Sequence, residues 1–351
     1  MNASAHATLR TPAQLAAADL IAERDRSPLE AVAARYAVAV TPAVAALIRE
    51  TGLDGPVARQ YLPSRDELTI RPDELADPIG DEAHSPVPGV VHRYPDRVLL
   101  MPTRVCAVYC RFCFRREAVG PDSGGLSETE LHAALDYIRA TPSIWEVILT
   151  GGDPLVLSAR RLGAILSALD EIPHVATIRI HSRVPVAAPE RIDDVLLSVL
   201  AAVHKPVNLA VHCNHAAELT GQAVAAVRKL RRSGVMLFGQ SVLLKGVNDD
   251  AHVLESLFRA MLAAGIKPYY LHQLDRAPGT SHFAVPLDRG REIVKRLRGK
   301  LSGLAQPIYV LDIPGGAGKV PIGPAYLTAT DTGYIVEDPA GSAHAYESSG
   351  S

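Results

Sequence analysis

Three of the four cysteines of this chain lie in one short stretch, Arg104 to Arg116, which reads RVCAVYCRFCFRR. Cys106, Cys110 and Cys113 follow a Cys-x3-Cys-x2-Cys spacing. A structural zinc site usually has four protein ligands and a conventional ferredoxin supplies four thiolates to a cluster, so three thiolates in one loop predict an iron-sulfur cluster with one iron left open for chemistry. The alternatives are a zinc site completed by a distant histidine and three cysteines that are simply buried together.

A second reactive side chain lies near the end of the chain, in the segment Leu311 to Pro321 (LDIPGGAGKVP). Lys319 is predicted to lie in a glycine-rich turn just after a strand, and glycines allow a backbone to approach a ligand closely. A lysine there can bind phosphate as a point charge or form an imine with a carbonyl compound. The segment does not match a Walker loop, because Val320 stands where a hydroxyl group is required. Taken alone, such a lysine is more often an ordinary surface residue than a catalytic one.

The amino-acid composition limits the classes of protein to which the chain can belong. Its 351 residues are 48% hydrophobic, which suffices for one large domain with an appendage or for two ordinary domains. The net charge of −2 provides no basic field for nucleic acid or an anionic membrane surface, so a small-molecule substrate is expected. No apolar run is long enough for a membrane span, and the N-terminus lacks a secretory signal. Cysteines gathered in one loop are no disulfide framework and predict a reducing, cytoplasmic location.

The pattern of helix and strand signals predicts three parts. Residues 1–80 form a helical N-terminal appendage, with helical patterns at Thr11 to Asp25, Pro28 to Tyr36 and Thr41 to Glu50. Residues 81–327 form the main domain, and the Pro- and Asp-rich stretch from Tyr61 to Pro88 is an irregular connector into it. Residues 328–351 are predicted to be a flexible tail.

The main domain shows alternating strand and helix patterns, which predict an α/β fold with a parallel sheet. About six βα units indicate a partial TIM barrel, (β/α)6-like, with functional residues in the loops after the strands. Ser127 and Glu130 form a capping-box pattern at the start of one intervening helix. The predicted strands are Arg97 to Pro102, Trp145 to Thr150, Ala176 to His181, Val207 to His212, Val235 to Leu243, Pro268 to Gln273 and Pro307 to Leu311.

Several motifs, taken together and in order, resemble those of the lysine 2,3-aminomutase family. The cysteine spacing, with Phe112 before the third cysteine, is typical of radical S-adenosylmethionine (SAM) enzymes, whose 4Fe-4S cluster binds SAM through its open iron. The resemblance spans roughly Asp77 to Tyr326. It implies a 4Fe-4S cluster, SAM and pyridoxal 5′-phosphate (PLP) as cofactors, and conversion of L-lysine to β-lysine by 1,2-migration of the α-amino group. The motifs are CAVYCRFCFRR, HRYPDR, TGGDPL, IHSRVPV, HCNHAAE, QSVLLKGVND, YYLHQLD and DIPGGAGKVP.

The resemblance also implies roles for individual residues. Cys106, Cys110 and Cys113 match the cluster ligands, and Lys319 matches the lysine that carries PLP. Arg115 matches the residue that pairs with the substrate α-carboxylate.

Further cofactor contacts are implied by the same motifs. Two arginines match residues that hold the PLP phosphate, a role that suits guanidinium geometry, although either could be an ordinary surface residue. A Gly-Gly-Asp segment resembles the one that meets the amino group of SAM, and a histidine and a glutamine resemble additional SAM contacts. For these last two, a buried polar residue with an internal partner is a close alternative. In order, the residues are Arg93, Arg97, Gly151, Gly152, Asp153, His212 and Gln240.

Substrate choice depends on two acids, Asp275 and Asp312, which match the pair that binds the distal ammonium of lysine in this family. Two carboxylates at the far end of a pocket favour a cationic side chain, because an unpaired buried charge is unfavourable. Lysine fits, and ornithine or arginine could. A relative that acts on glutamate would need a neutral or basic residue at one of these positions. A non-enzymatic iron-sulfur protein is the alternative from another class.

The sequence departs from the larger lysine 2,3-aminomutases at its C-terminus, which carries no cysteine-bearing segment. Its short tail and the segments HQLDRAPGTSHF and CRFCFRR resemble those of the compact relatives that make β-lysine for elongation factor P. The segment DIPGGAGKVP, in contrast, resembles that of the free-lysine enzymes. The resemblance further implies an electron donor of the flavodoxin or ferredoxin type. A homo-oligomer is compatible with it, and neither nucleic acid nor a membrane is expected as a partner.

Overall fold

A nine-stranded sheet forms the centre of the computed structural model, which describes residues 7–347. The strands β1 to β9 lie side by side in the order of the sequence. Seven of them, β2 to β8, are parallel, and β1 and β9 pair antiparallel at the two edges. Helical crossovers join each parallel strand to the next, so the predicted α/β fold, a (β/α)6-like partial TIM barrel, is confirmed.

The strands of this sheet are β1 (Val90–Tyr94), β2 (Arg97–Thr103), β3 (Glu146–Gly151), β4 (Thr177–Ser182), β5 (Val207–His212), β6 (Met236–Val242), β7 (Lys267–His272), β8 (Ile308–Ile313) and β9 (Gly318–Pro321). The helices are α1 (Pro12–Ala17), α2 (Glu23–Arg35), α3 (Pro42–Thr51), α4 (Pro56–Tyr61), α5 (Glu128–Arg139), α6 (Ala159–Asp170), α7 (Val184–Ala187), α8 (Asp194–Ala201), α9 (Gly221–Arg232), α10 (Ala251–Ala264) and α11 (Leu287–Leu297). No helix within these described residues is long and apolar enough to cross a membrane.

The central strands are buried on both faces because helices cover the outside of the sheet. Strand β5 is buried at every position except its last, and all seven predicted core strands are present within two residues of their predicted ends. Helix α5 begins with the predicted capping box, in which the hydroxyl of Ser127 accepts a hydrogen bond from the backbone N–H of Glu130. Its buried residues, Leu131, Ala134, Leu135 and Ile138, all lie on the face that packs on the sheet.

The two edge strands were not predicted, and they correct the position of Lys319. The sequence patterns predict Lys319 in a turn, but it lies in β9, in direct antiparallel register with Asp312 of β8. Both strands are marked only weakly in the sequence, since β9 has four residues and β1 follows a Pro-rich connector. The hydroxyl of Tyr94, at the end of β1, accepts a hydrogen bond of 2.7 Å from the backbone N–H of Lys319. This contact joins the two edges and nearly closes the barrel.

The N-terminal region is helical, as the sequence predicts, but the predicted helix from Thr11 to Asp25 is interrupted. Helix α1 ends at Ala17, and Asp19 takes a positive φ of 55° that a helix does not permit. The C-terminal region forms a small antiparallel sheet for which the sequence predicts no elements. Its strands are β10 (Leu327–Thr330), β11 (Gly333–Glu337) and β12 (Ala343–Glu347), and residues 348–351 of the predicted flexible tail lie outside the described residues.

Candidate active site

A cavity of about 610 Å³ runs through the inside of the barrel. Every site residue that the sequence predicts lines it, with the exception of Gly151. The lining comes from the cysteine loop and from residues of all nine strands, β1 to β9. A cavity of this size is in the range that holds small organic ligands and cofactors.

The cysteine loop is held in place by buried ion pairs to the N-terminal region. Glu67, whose side chain is fully buried, accepts hydrogen bonds from the guanidinium groups of Arg111 and Arg116. Burial alone would raise the pKa of Glu67, but Arg111 and Arg116 outweigh it and hold this pKa below its usual value. The two arginines flank the third cysteine, Cys113, so the appendage determines the shape of the loop.

A third buried arginine contacts the cysteines directly. Arg183, which follows β4, donates hydrogen bonds to the sulfur of Cys110 at 2.7 Å, to Gln60 at 2.5 Å and to Glu218 at 2.7 Å. Its motif, IHSRVPV, is among those that resemble the family, but the sequence assigns Arg183 no role. The contact places a positive charge beside one of the three predicted cluster ligands.

The three thiols are partly buried and close enough to influence one another. Burial raises the pKa of Cys113 to about 11, with the neighbouring thiol of Cys110 adding to the shift, and it raises the pKa of Cys106 well above its ordinary value. Among residues 7–347, no three thiols, imidazoles or carboxylates converge on one point at metal-ligand distance.

The Gly-Gly-Asp segment after β3 packs tightly against the cysteine loop. A Cβ on Gly152 would lie 2.3 Å from the carbonyl oxygen of Val105, and Gly151 has a φ of 99°. The carboxylate of Asp153 accepts hydrogen bonds from the backbone N–H of Arg183 at 2.7 Å and from the hydroxyl of Ser182 at 3.0 Å. In this structure these residues shape the backbone, and Gly151 does not reach the cavity. Contact between this segment and SAM therefore stays a prediction.

His212 and Gln240 occupy adjacent strands, β5 and β6, and both face the cavity. The Nε2 atom of His212 is buried and has no hydrogen-bond partner in the described part of the chain. Burial, with a smaller contribution from Arg183, lowers the pKa of His212 to about 3, so the imidazole is neutral. The side-chain amide of Gln240 also makes no hydrogen bond within residues 7–347. Such unpartnered polar groups fit a polar ligand in the adjoining space.

Lys319 forms an ion pair with Asp312, its cross-strand neighbour. The ammonium nitrogen also lies 3.3 Å from Nδ1 of His272, at the end of β7. Burial opposes the ionisation of Asp312, but the hydrogen bond from His272 and the charge of Lys319 together bring its pKa down to about 2. Burial, with the charge of Lys319 adding to it, lowers the pKa of His272. Their seven-residue separation in the sequence places Asp312 and Lys319 directly opposite each other across this hairpin.

Asp275 lies close to this pair, but its side chain receives no hydrogen bond from the described residues. Burial raises the pKa of Asp275 to about 7, and repulsion from the carboxylate of Asp312 contributes, while the charges of Lys319 and Arg115 oppose the shift. The two acids thus have very different proton affinities. An additional cation between them would favour the ionised form of both acids at neutral pH.

The two arginines predicted for the PLP phosphate take different partners. Arg93 donates a hydrogen bond of 3.2 Å to Asp81, and the same carboxylate accepts a bond of 2.8 Å from Arg115. Arg97 instead pairs with Asp96 at 2.6 Å and lies over the ring of Tyr94. The structure therefore groups Arg93 with the residue predicted to bind the substrate carboxylate.

Four residues of the site were not assigned from the sequence. Each makes contacts to segments far away in the chain; Arg183 and His272 lie within the motifs IHSRVPV and YYLHQLD, but neither was assigned a role from them. Asp81 lies in the Pro-rich connector, where an acid has no distinguishing spacing, and Arg183 and His272 are single residues at strand ends. The set is Glu67, Asp81, Arg183 and His272.

Comparison with known proteins defines first the class and then the family. Residues 100–257 match the Radical SAM superfamily, and residues 294–338 match the family described as Lysine-2,3-aminomutase. The chain is 43% identical to an L-lysine 2,3-aminomutase from Clostridium subterminale, over 83% of this chain and 70% of that protein. It is 41% identical to the L-lysine 2,3-aminomutase of Acetoanaerobium sticklandii, over 85% of this chain and 72% of that protein. The chain belongs to the lysine 2,3-aminomutase family of radical SAM enzymes.

The chain is also similar to an aminomutase named for a different substrate and, more distantly, to a solved structure. The chain is 37% identical to a glutamate 2,3-aminomutase from Clostridioides difficile, over 90% of this chain and 74% of that protein. A solved radical SAM methyltransferase from Sphaerobacter thermophilus is 19% identical, over 63% of this chain and 68% of that chain, with a TM-score of 0.45. Since relatives named for two substrates match at similar identity, the substrate has to be argued from the site.

As a member of this family, the chain is an isomerase of the aminomutase type with a 4Fe-4S cluster, SAM and PLP as cofactors. The residues present fit these groups. Three cysteines in one loop, beside the cation of Arg183, are suited to the cluster. The unpartnered Nε2 of His212 lies in the wall of the same cavity as the cysteine loop, and Lys319 places in that cavity a primary amine, the group that binds the aldehyde of PLP.

Proposed function

We propose that this enzyme converts L-lysine into β-lysine by moving the α-amino group to the neighbouring carbon. One observation carries the choice of substrate. Asp312 already binds a primary alkylammonium, that of Lys319, and a second partly buried acid, Asp275, lies beside it. The side chain of L-lysine ends in the same chemical group.

The proposal involves an exchange of cations at these acids. Lys319 is predicted to carry PLP, and an amine taken up by the aldehyde of PLP is no longer a free ammonium on Asp312. Asp312 and Asp275 then lack a cation, and an unpaired buried charge is unfavourable. The distal ammonium of lysine supplies that cation when the substrate enters, before its α-amino group takes PLP over from Lys319 and releases the Lys319 amine. A glutamate side chain would add a third negative charge, so a glutamate substrate is disfavoured.

The remaining side chains of the site orient the substrate. Arg115 binds the α-carboxylate through its guanidinium fork, so the substrate is held at both ends. The cluster and SAM supply the radical that removes a hydrogen atom, and PLP carries the migrating amino group. The protein contributes placement: the cavity inside the barrel holds the reacting groups in line and keeps water away from them.

Ornithine and arginine are the second candidates, because each also ends in a cation that the two acids could bind. Their side chains differ from that of lysine in length and shape, so the span between Arg115 and Asp312 selects among them. We further infer that a flavodoxin- or ferredoxin-type protein supplies the electron and that the enzyme acts in the cytoplasm, since thiolate ligands require reducing conditions. Homo-oligomerisation is compatible with this function.

The decisive experiment is a turnover assay on the anaerobically reconstituted enzyme with PLP, SAM and a chemical reductant. L-Lysine labelled with ¹⁵N at the α-amino group should yield β-lysine with the label on C3, detected by NMR. L-Ornithine, L-arginine and L-glutamate are offered in parallel. Formation of 5′-deoxyadenosine with unchanged lysine would refute lysine as the substrate, and product from one of the other three would identify the alternative.

Two variants link the activity to the site. Lys319→Ala should abolish both the absorbance band of bound PLP and the formation of β-lysine. Lys300→Ala changes an exposed lysine elsewhere and should leave both unchanged. A Lys319→Ala protein that retains the band would contradict the role assigned to this lysine.

A further inference from the structure

A short segment of the connector, Asp77 to His84, lies against the hairpin that carries Lys319. The carbonyl oxygen of Pro78 accepts a hydrogen bond of 3.1 Å from the backbone N–H of Gly315, in the turn between β8 and β9. The carboxylate of Asp77 accepts hydrogen bonds of 2.9 Å from the backbone N–H groups of Asp81 and Glu82. At the other end of the segment, Nε2 of His84 lies 3.2 Å from the carbonyl oxygen of Gly316, so the segment that carries Asp81 is anchored to the hairpin at both ends.

Asp81 connects two arginines of the active site. One carboxylate oxygen accepts a hydrogen bond of 3.2 Å from Arg93 on β1, and the other accepts one of 2.8 Å from Nε of Arg115 in the cysteine loop. The three side chains are 14%, 11% and 13% exposed, respectively. The attraction between charges this far removed from water is screened less than on a surface, so removing Asp81 would leave two buried guanidinium groups uncompensated.

The geometry of the contact leaves part of Arg115 available. Its Nε and Nη2 atoms both lie 2.8 Å from the same oxygen of Asp81. Its Nη1 atom makes no hydrogen bond to residues 7–347, and the guanidinium lies over the ring of Phe114 at 4.5 Å. A guanidinium held along one edge and on one face keeps a single orientation and still has N–H groups for a second carboxylate.

The charges at this point also fit a monocarboxylate ligand. Arg93 and Arg115 carry two positive charges, and Asp81 neutralises one of them. One α-carboxylate would balance the other. Without Asp81 the two guanidinium groups would repel each other, and the long side chain of Arg115 would regain rotamer freedom that binding must then remove.

We propose that Asp81 is a positioning residue, which orients Arg115 for the α-carboxylate of the amino-acid substrate. This inference rests on the proposed function and adds a residue that touches no reacting atom. A positioning role differs from a purely structural one in a measurable way: substitution of Asp81 should weaken the binding of ligands that have a carboxylate and not of those that lack one.

The test is a binding titration of the PLP-loaded enzyme, followed by the absorbance of the cofactor, with two ligands. L-Lysine is compared with pentane-1,5-diamine, which is lysine without its carboxylate. Asp81→Asn should weaken the apparent affinity for L-lysine roughly tenfold, the usual effect of losing a charged hydrogen bond, and leave that for the diamine nearly unchanged. Asp81→Glu, which keeps the charge, should restore most of the lysine affinity.

The controls separate the possible failures. Glu82→Gln changes the exposed neighbouring acid and should behave as the unmodified enzyme with both ligands. Equal weakening of both ligands by Asp81→Asn, or unchanged or tighter lysine binding, would overturn the positioning role. If Asp81→Asn fails to fold, Asp81→Glu is titrated alone, and a larger loss for the diamine than for lysine overturns the proposal. An unmodified enzyme that responds to neither ligand refutes the proposed function instead.

Discussion

Asp275 provides a quantitative test of the electrostatics of the site. Its carboxylate is partly buried, receives no hydrogen bond from the described residues and lies near the charge of Asp312. Its pKa is accordingly about 7 in the folded protein, compared with 3.8 for a free side chain. Substitution Asp275→Asn replaces the carboxylate with a neutral group of nearly the same shape. The change in the free energy of unfolding therefore reports the effect of burying the charge.

The direction in which the stability changes with pH follows from the raised pKa of Asp275. The folded protein binds this proton more tightly than the unfolded chain, so the stability that protonation contributes is complete below about pH 4 and is lost as the pH rises through about 7. A shift of about three pKa units corresponds to about 4 kcal/mol. Water that reaches the carboxylate reduces this value, and we expect about 1–3 kcal/mol.

The assay is urea unfolding of the cofactor-free protein at pH 5 and pH 8. Asp275→Asn should raise the free energy of unfolding by about 1–3 kcal/mol at pH 8 and by much less at pH 5. Asp331→Asn, at an exposed acid, is the control and should show little change at either pH. The same Asp275→Asn protein should lose most lysine turnover, because the distal ammonium loses a partner. A variant that is less stable than the unmodified protein at pH 8 would refute this account of the pocket.

Two further predictions concern the cysteine loop. Glu67→Gln leaves the guanidinium groups of Arg111 and Arg116 buried without their carboxylate. It should lower the free energy of unfolding, measured in urea, by about 3–5 kcal/mol. An effect near zero would contradict the role of this ion pair. Gly152→Ala places a Cβ 2.3 Å from the carbonyl oxygen of Val105, in the cysteine loop. The variant should bind less iron per chain after reconstitution, while its circular dichroism spectrum stays close to that of the unmodified protein. Full iron content would contradict the tight packing.

Strand order and the class of chemistry could be predicted from the sequence because their signals are local. The parallel strands are continuous apolar runs, and three cysteines within eight residues are held near one another by the chain itself. Strands β1 and β9 were missed because one is short and the other follows a Pro-rich connector. Lys319 was identified from its motif, yet its true neighbour across the hairpin, Asp312, became a contact only through the strand register.

The sequence by itself identified the candidate reactive groups: three thiols predicted to hold a cluster, one lysine amine predicted to carry PLP and two acids predicted to bind a cationic substrate. Tertiary structure alone decided how those groups are charged and oriented. Asp275 and Asp312 are the same residue type, but burial and the nearness of Lys319 bring their pKa values to about 7 and about 2. Likewise, Asp81 and Glu67 become partners of the arginines because the connector folds back over the barrel. Burial and long-range contacts depend on the whole chain, and for that reason no local pattern could reveal them.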